Sequence, residues 1–169
     1  RESFDAACEA AGTHGHVYFA SKAFSNVGVA RWMIDAGLRV DVATEGELEL
    51  ALAAGVPAAA IGLHGNNKSD HEIDRATAIG VGSLVIDSAD EINRVADAAE
   101  RNGVVQNVRL RANTGVHAST HDYLATARED QKFGVALRDV PALVAAIRAR
   151  PSLRFLGLHS HIGSQIFET

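Results

Sequence analysis

The run Val17-Tyr18-Phe19-Ala20-Ser21-Lys22 is an apolar, strand-prone stretch that ends on a primary amine just before a helical pattern begins. A lysine at such an edge is a candidate covalent nucleophile. Burial among apolar neighbours disfavours its ammonium form, and the free amine attacks a carbonyl to give a Schiff base. The plain alternative is a strand-end lysine whose head group stays in solvent. Near the far end of the chain, His159 and His161 are two residues apart, a spacing that puts both rings on one side of an extended strand. Such a pair either chelates a metal, with Asp41 or Asp87 adding an oxygen, or lays one imidazole flat against a cofactor ring. Hydrogen-bonded histidines closing a strand are the structural alternative. The Gly163-Ser164 turn that follows favours the cofactor. Glycine lets backbone approach a ligand, and a serine hydroxyl beside backbone N–H groups can hold a phosphate oxygen.

These groups need elements to position them, and the chain repeats a strand-and-helix unit. Apolar or β-branched runs recur at 17–20, 38–42, 61–64, 83–86, 107–112 and 153–159, with helical patterns filling most of the gaps. Three helices carry one start signal, a hydroxyl residue followed three positions on by glutamate: Thr44 with Glu47, Ser69 with Glu72, Ser88 with Glu91. Ile92, Val95, Ala96 and Ala99 give the third of these a single buried stripe. Gly37, Gly55 and Gly80 are placed to stop helices, and Pro141 sits in the first turn of another. Strands alternating with single helices predict a parallel sheet with the helices outside. A doubly wound sheet could use six strands, but the glycine fingerprint of a dinucleotide site is missing after the first. An eight-stranded barrel, typically about 250 residues, would be some two strands short. In a barrel the reactive groups gather at the C-terminal strand ends, which selects Lys22, Asp41, the turn from His64 to Lys68, Asp87, Arg111 and the run from His159 to Gln165. The connection from Asn113 to Phe133 is long for such a fold, and long connections are commonly functional or mobile.

Composition narrows the partners. The 169 residues carry 16 Lys and Arg against 21 Asp and Glu, a net charge of -5, without a dense basic run. That argues against nucleic acid or an anionic membrane and for a small soluble substrate. Cys8 is the one cysteine, so a disulfide framework or a thiolate zinc site within one chain is excluded, and a reducing cytoplasm is the expected compartment. Both ends stop abruptly, and the chain reads as a fragment.

Tyr18-Phe19-Ala20-Ser21-Lys22-Ala23 followed by Asp41-Val42-Ala43-Thr44-Glu45-Gly46-Glu47-Leu48 resembles the fold-type III pyridoxal-phosphate decarboxylases. Leu63-His64-Gly65-Asn66-Asn67-Lys68-Ser69, Glu129-Asp130-Gln131-Lys132-Phe133-Gly134 and Gly157-Leu158-His159-Ser160-His161-Ile162-Gly163-Ser164-Gln165 narrow the resemblance to the diaminopimelate decarboxylases. It implies a partial TIM (β/α)8 barrel of the alanine racemase-like type, with about six of eight strands present. Residues 1–169 would be an incomplete pyridoxal-phosphate-binding barrel domain without the C-terminal β-domain. It further implies that Lys22 holds pyridoxal 5'-phosphate covalently, that His161 stacks on the ring face opposite, and that Ser164 lies near the phosphate. Asp41, Glu47 and Arg111 would line or support the site. The intact protein would be a cytoplasmic homodimer that converts meso-diaminopimelate to L-lysine and CO2, without a metal. The family's glycine-rich phosphate loop, ring-nitrogen glutamate, distal substrate residues and partner-chain cysteine fall beyond Thr169, so the fragment alone is expected to be inactive. Three other readings stay open: a metal-dependent barrel hydrolase using His159 and His161, a non-catalytic pyridoxal-phosphate-binding homologue, and a decarboxylase of ornithine or arginine.

Overall fold

The structure is a computed structural model that describes residues 1–114 and 133–161. After an N-terminal helix α1 (Glu2–Ala10), strands and helices alternate: β1 (Tyr18–Ala20), α2 (Val27–Asp35), β2 (Arg39–Val42), α3 (Glu45–Ala53), β3 (Ile61–Leu63), α4 (Asp70–Ile79), β4 (Ser83–Ile86), α5 (Ala89–Arg101) and β5 (Gln106–Asn113). Past the undescribed stretch come β6 (Val135–Ala136), α6 (Val140–Arg148) and β7 (Leu153–His159). Every pairing is parallel, in the order β1-β2-β3-β4-β5, with β6 and β7 both bonded to β5. The alternating pattern predicts the parallel sheet, and its form as a partial (β/α)8 barrel is what the family resemblance implies.

The core lies between sheet and helices. Val40, Val42, Ile61, Leu63, Leu84, Ile86, Val108 and Leu110 are fully buried, and Leu48, Ile73, Val95 and Ile147 reach them from the helices. The alternation along β5 shows the two faces: Gln106, Val108, Leu110 and Ala112 are buried, while Asn107, Arg109, Arg111 and Asn113 lie on the opposite, inward face. Register places Tyr18 beside Arg39, Ala20 beside Asp41, Asp41 beside Gly62, and Arg111 beside His159. A polar row therefore runs across the inward face, where barrels usually stack branched apolar side chains.

Six strands were legible in the pattern, and the described residues hold seven. β6 is two residues long, too short to show a period. The start signals also divide. Ser69 and Glu72 form the full reciprocal capping box, and Thr44 caps the Glu47 N–H. Ser88 makes no side-chain cap bond, and Glu91 pairs with Lys68 and the Asp87 N–H rather than with the Ser88 N–H. Ser69→Ala in the full-length protein is therefore expected to cost about 1 kcal/mol in the denaturant midpoint, and Ser88→Ala less than about 0.5 kcal/mol. The predicted helix stops hold at Gly37, Gly55 and Gly80, each with positive φ. Most of the connection from Asn113 to Phe133 lies outside the described residues.

Candidate active site

Lys22 sits in a single 3₁₀ turn, Ser21–Ala23, directly after β1. The turn tucks Ser21 inward at 3% exposure, and its carbonyl accepts the Ser25 hydroxyl at 2.8 Å. Lys22 is consequently exposed, so of the two readings of this lysine the fold supplies the one with its head group in solvent. Among the described residues its amine has no hydrogen bond or ion pair, while its charge is felt at Asp41 and His64. What the fold provides is an exposed amine, uncommitted among the described residues, whose charge reaches a half-buried carboxyl.

Asp41 is on the inward face of β2, and the next strand makes room for it with Gly62. A Cβ there would come within 3.1 Å of Asp41 Oδ1 and 3.3 Å of the Tyr18 ring. His64 leaves the end of β3 through Gly65, whose φ of 122° lets the turn pass close to the Ala43 carbonyl. His64 Nε2 lies 3.2 Å from Asp41 Oδ2, and the His64 and His159 ring centroids are 6.5 Å apart. Glu47 steadies the turn after β2 by accepting the Ala43 N–H at 2.7 Å. Burial pushes Asp41 up to about 7, with Lys22 opposing and Glu47 adding to the rise. Burial pushes His64 down to about 4, helped by the positive charges of His159, Lys22, Arg111 and Lys68. His159 is also lowered, first by burial and then by Arg111. Between about pH 4 and 7 the Asp41–His64 contact thus joins two neutral groups.

These shifts have opposite signs. The folded chain keeps a proton on Asp41 that an unfolded carboxyl loses near 3.8, so Asp41 costs stability increasingly as pH rises from about 4 to 7. His64 refuses a proton that an unfolded imidazole takes near 6.5, so it costs stability as pH falls from 6.5 to about 4. Across the shared window the slopes cancel: folding moves one proton from ring to carboxyl. Asp41→Asn should expose the His64 slope, a loss of about 3 kcal/mol between pH 6.5 and 4 where wild type changes little. Urea titrations of the cofactor-free full-length protein check it.

Arg111 Nη1 reaches Asp87 Oδ1 at 3.3 Å, and its guanidinium lies 5.0 Å from the Phe133 ring centroid. Asp87 Oδ2 accepts the Gly134 N–H at 3.1 Å, which ties β6 to the end of β4. A Cβ on Gly134 would strike the Arg111 carbonyl at 2.8 Å. Below this pair Lys68 Nζ meets Glu91 Oε2 at 2.9 Å, with both side chains almost fully buried. A cavity of about 500 Å³ opens alongside, lined by Asn66, Asp87, Ser88, Gly134, Asp139 and Leu143.

The structure therefore brings Lys22, Asp41, Arg111 and His159 to the C-terminal ends of the strands. His161 follows β7, which ends at His159, and its ring is exposed. β1 and β7 stand at opposite ends of the strand order, so Lys22 and His161 come from opposite sides of the curved sheet. Ser164 lies outside the described residues. Among the described residues no three His, Cys, Asp or Glu side chains converge as metal ligands.

The model of the pyridoxal-dependent decarboxylase, pyridoxal binding domain, matches residues 1–169. The chain belongs to that family. It is 48% identical over 159 residues to the diaminopimelate decarboxylase of Mycobacterium tuberculosis, covering 93% of this chain and 36% of that protein. The diaminopimelate decarboxylase of M. jannaschii, solved with L-lysine, superposes with a TM-score of 0.87 at 28% identity, covering 99% of this chain and 39% of the other. The Helicobacter pylori enzyme with L-lysine gives 0.83 at 27% identity, covering 90% and 39%. The chain spans little more than a third of the length of the relatives it matches.

Pyridoxal phosphate is the group this decarboxylase domain implies, and the residues fit it. The Lys22 amine is free to bond a carbonyl, and His159 Nδ1 is buried without a hydrogen-bond partner among the described residues. The pairing of His64 with Asp41 was not foreseen. Its strand-end position was the available signal, and the contact itself joins residues one strand-and-helix unit apart. No described helix is long and apolar enough to cross a membrane.

Proposed function

We propose that the intact protein decarboxylates meso-diaminopimelate to L-lysine and CO2, with pyridoxal phosphate held on Lys22. The observation that carries this reading is the exposed Lys22 amine, without a hydrogen bond or ion pair among the described residues and near enough to Asp41 for its charge to be felt there, on a pyridoxal-binding domain. When bound, the cofactor supplies an electron sink for the pair left behind as CO2 departs. This chain's residues do the rest. Lys22 Nζ would hold the cofactor's carbonyl carbon, His161 would be the residue to stack on its ring, and Ser164 would be the residue for its phosphate. The Asp41 carboxyl, which feels the Lys22 charge, would set the field around the anchoring amine. Arg111, braced by Asp87, sets a fixed positive charge at the mouth. The names of the relatives, and the L-lysine in two of their structures, support the choice of substrate. The barrel domain of residues 1–169, a separate β-domain, the homodimer and the cytoplasmic setting rest on the resemblance.

The test is direct. The full-length protein, reduced with borohydride after pyridoxal phosphate is added, should yield a labelled peptide containing Lys22. It should release CO2 and L-lysine in equal amounts from meso-diaminopimelate, and far more slowly from ornithine or arginine. Label at another lysine, or faster release from another diamino acid, would refute the assignment.

A further inference from the structure

We propose that Asp87, Phe133 and Gly134 are positioning residues for Arg111. They hold its guanidinium in one orientation, and that orientation sets how tightly the anionic cofactor binds. The inference rests on the reading of this domain as a pyridoxal-phosphate site with Arg111 as the fixed positive charge at its mouth.

Three parts of the fold meet on this one side chain. From the end of β4, the buried Asp87 carboxyl accepts Arg111 Nη1 on Oδ1 at 3.3 Å and the Gly134 N–H on Oδ2 at 3.1 Å. Its own backbone is fixed in turn, because the Asp87 N–H donates to Glu91 Oε2. Just before β6, the Phe133 ring covers the guanidinium, with 5.0 Å between the guanidinium carbon and the ring centroid. Gly134 then lies against the arginine stem. A Cβ there would come within 3.0 Å of Arg111 Cγ and 2.8 Å of the Arg111 carbonyl oxygen, and the φ of 77° favours glycine a second time. Pairing of Ala112 with Val135 keeps the two strands, and so Arg111 and Gly134, side by side. The Arg111 side chain is 14% exposed, deep enough that its charge needs an acceptor, and among the described residues Asp87 is the one it has. A free arginine samples many rotamers, whereas a clamped one has its planar fork already aimed. Asp87 takes Nη1 only. Nε and Nη2, which share the other edge of the plane, make no hydrogen bond among the described residues. That edge offers two parallel donors, the arrangement that suits a phosphate or another anionic oxygen.

Equilibrium dialysis of pyridoxal phosphate against the full-length protein tests this, in a Lys22→Ala background so that a bond to Lys22 does not contribute. Arg111→Gln should weaken binding roughly 10-fold. Asp87→Asn, which keeps the shape and removes the charge, and Gly134→Ala, which pushes the arginine stem aside, should each weaken it by a similar factor. Added to Arg111→Gln, either one should change binding by less than about 2-fold, because the group they position is already gone. A merely structural role would give the same loss with or without the arginine. That result, or Arg111→Gln binding as tightly as its parent, would overturn the inference. Phe133→Leu removes the covering ring and leaves Asp87 paired, so it carries the same cycle if Asp87→Asn or Gly134→Ala does not fold. Borohydride label at a lysine other than Lys22 in the unsubstituted protein would refute the anchoring reading, whereas the Arg111 cycle refutes the clamp with that reading intact.

Discussion

Lys22→Ala is expected to lower decarboxylation by the full-length protein at least ~10³-fold, equivalent to about 4 kcal/mol of transition-state stabilisation. The fold should hardly notice, because the side chain is exposed and makes no hydrogen bond or ion pair among the described residues; the thermal midpoint should report a change within about 0.5 kcal/mol. Lys22→Arg separates charge from chemistry. It keeps a cation near Asp41 and His64, yet a guanidinium does not give up its proton, so activity should stay as low as in the alanine variant. Ethylamine in the assay should restore part of the alanine variant's activity and none of the arginine variant's, since only the former leaves space for a replacement amine. The chain has two other lysines. Lys68 is committed to Glu91 in the interior, and Lys132 lies outside the described residues. Substantial activity in Lys22→Ala would therefore move the anchoring amine to a position this fold does not favour.

Local signals carried the architecture well. Buried parallel strands are short apolar runs, and 61–63 and 83–86, buried at every position, show this without ambiguity. The stripe of Ile92, Val95, Ala96 and Ala99 is buried in α5 as its spacing requires. Failures came where a distant group outcompeted a local one. Ser88 with Glu91 has capping-box spacing, but a buried ammonium needs a counter-charge more than a helix start needs a second cap, and Lys68 claims Glu91. The apolar run before Lys22 left its head group either buried or in solvent, and the fold supplies the solvent-exposed case. The 3₁₀ turn rotates the chain so that Ser21 takes the inward place, and no periodicity in so short a segment foretells that. The Asp41–His64 contact is of the same kind: both residues were marked by lying at strand ends, while their approach depends on strand register and on the room left by Gly62.

The second large effect should come from Lys68. Its ammonium and the Glu91 carboxylate are 1% and 3% exposed, and the pair is wired on both sides. Lys68 also donates to the Gly65 carbonyl, its own carbonyl accepts Arg94 Nη2 at 2.6 Å, and Glu91 accepts the Asp87 N–H at 2.9 Å. Burial lowers Lys68 from the usual lysine range, and Glu91 is what opposes that drop. Lys68→Met leaves a carboxylate stranded in the interior and should cost 3–5 kcal/mol, on the order of a small domain's margin, as read by chemical denaturation. Lys68→Met with Glu91→Leu removes both charges, and most of the loss should return. Activity should not return with it. The double variant leaves the Gly65 carbonyl and the Asp87 N–H without their side-chain partners, and these hold the turn that carries His64 and the strand end that braces Arg111. A double variant that is stable but at least ~10-fold slower than wild type would identify the pair as a strut under the site. Full recovery of both stability and rate would show that packing alone sets the positions of His64 and Arg111.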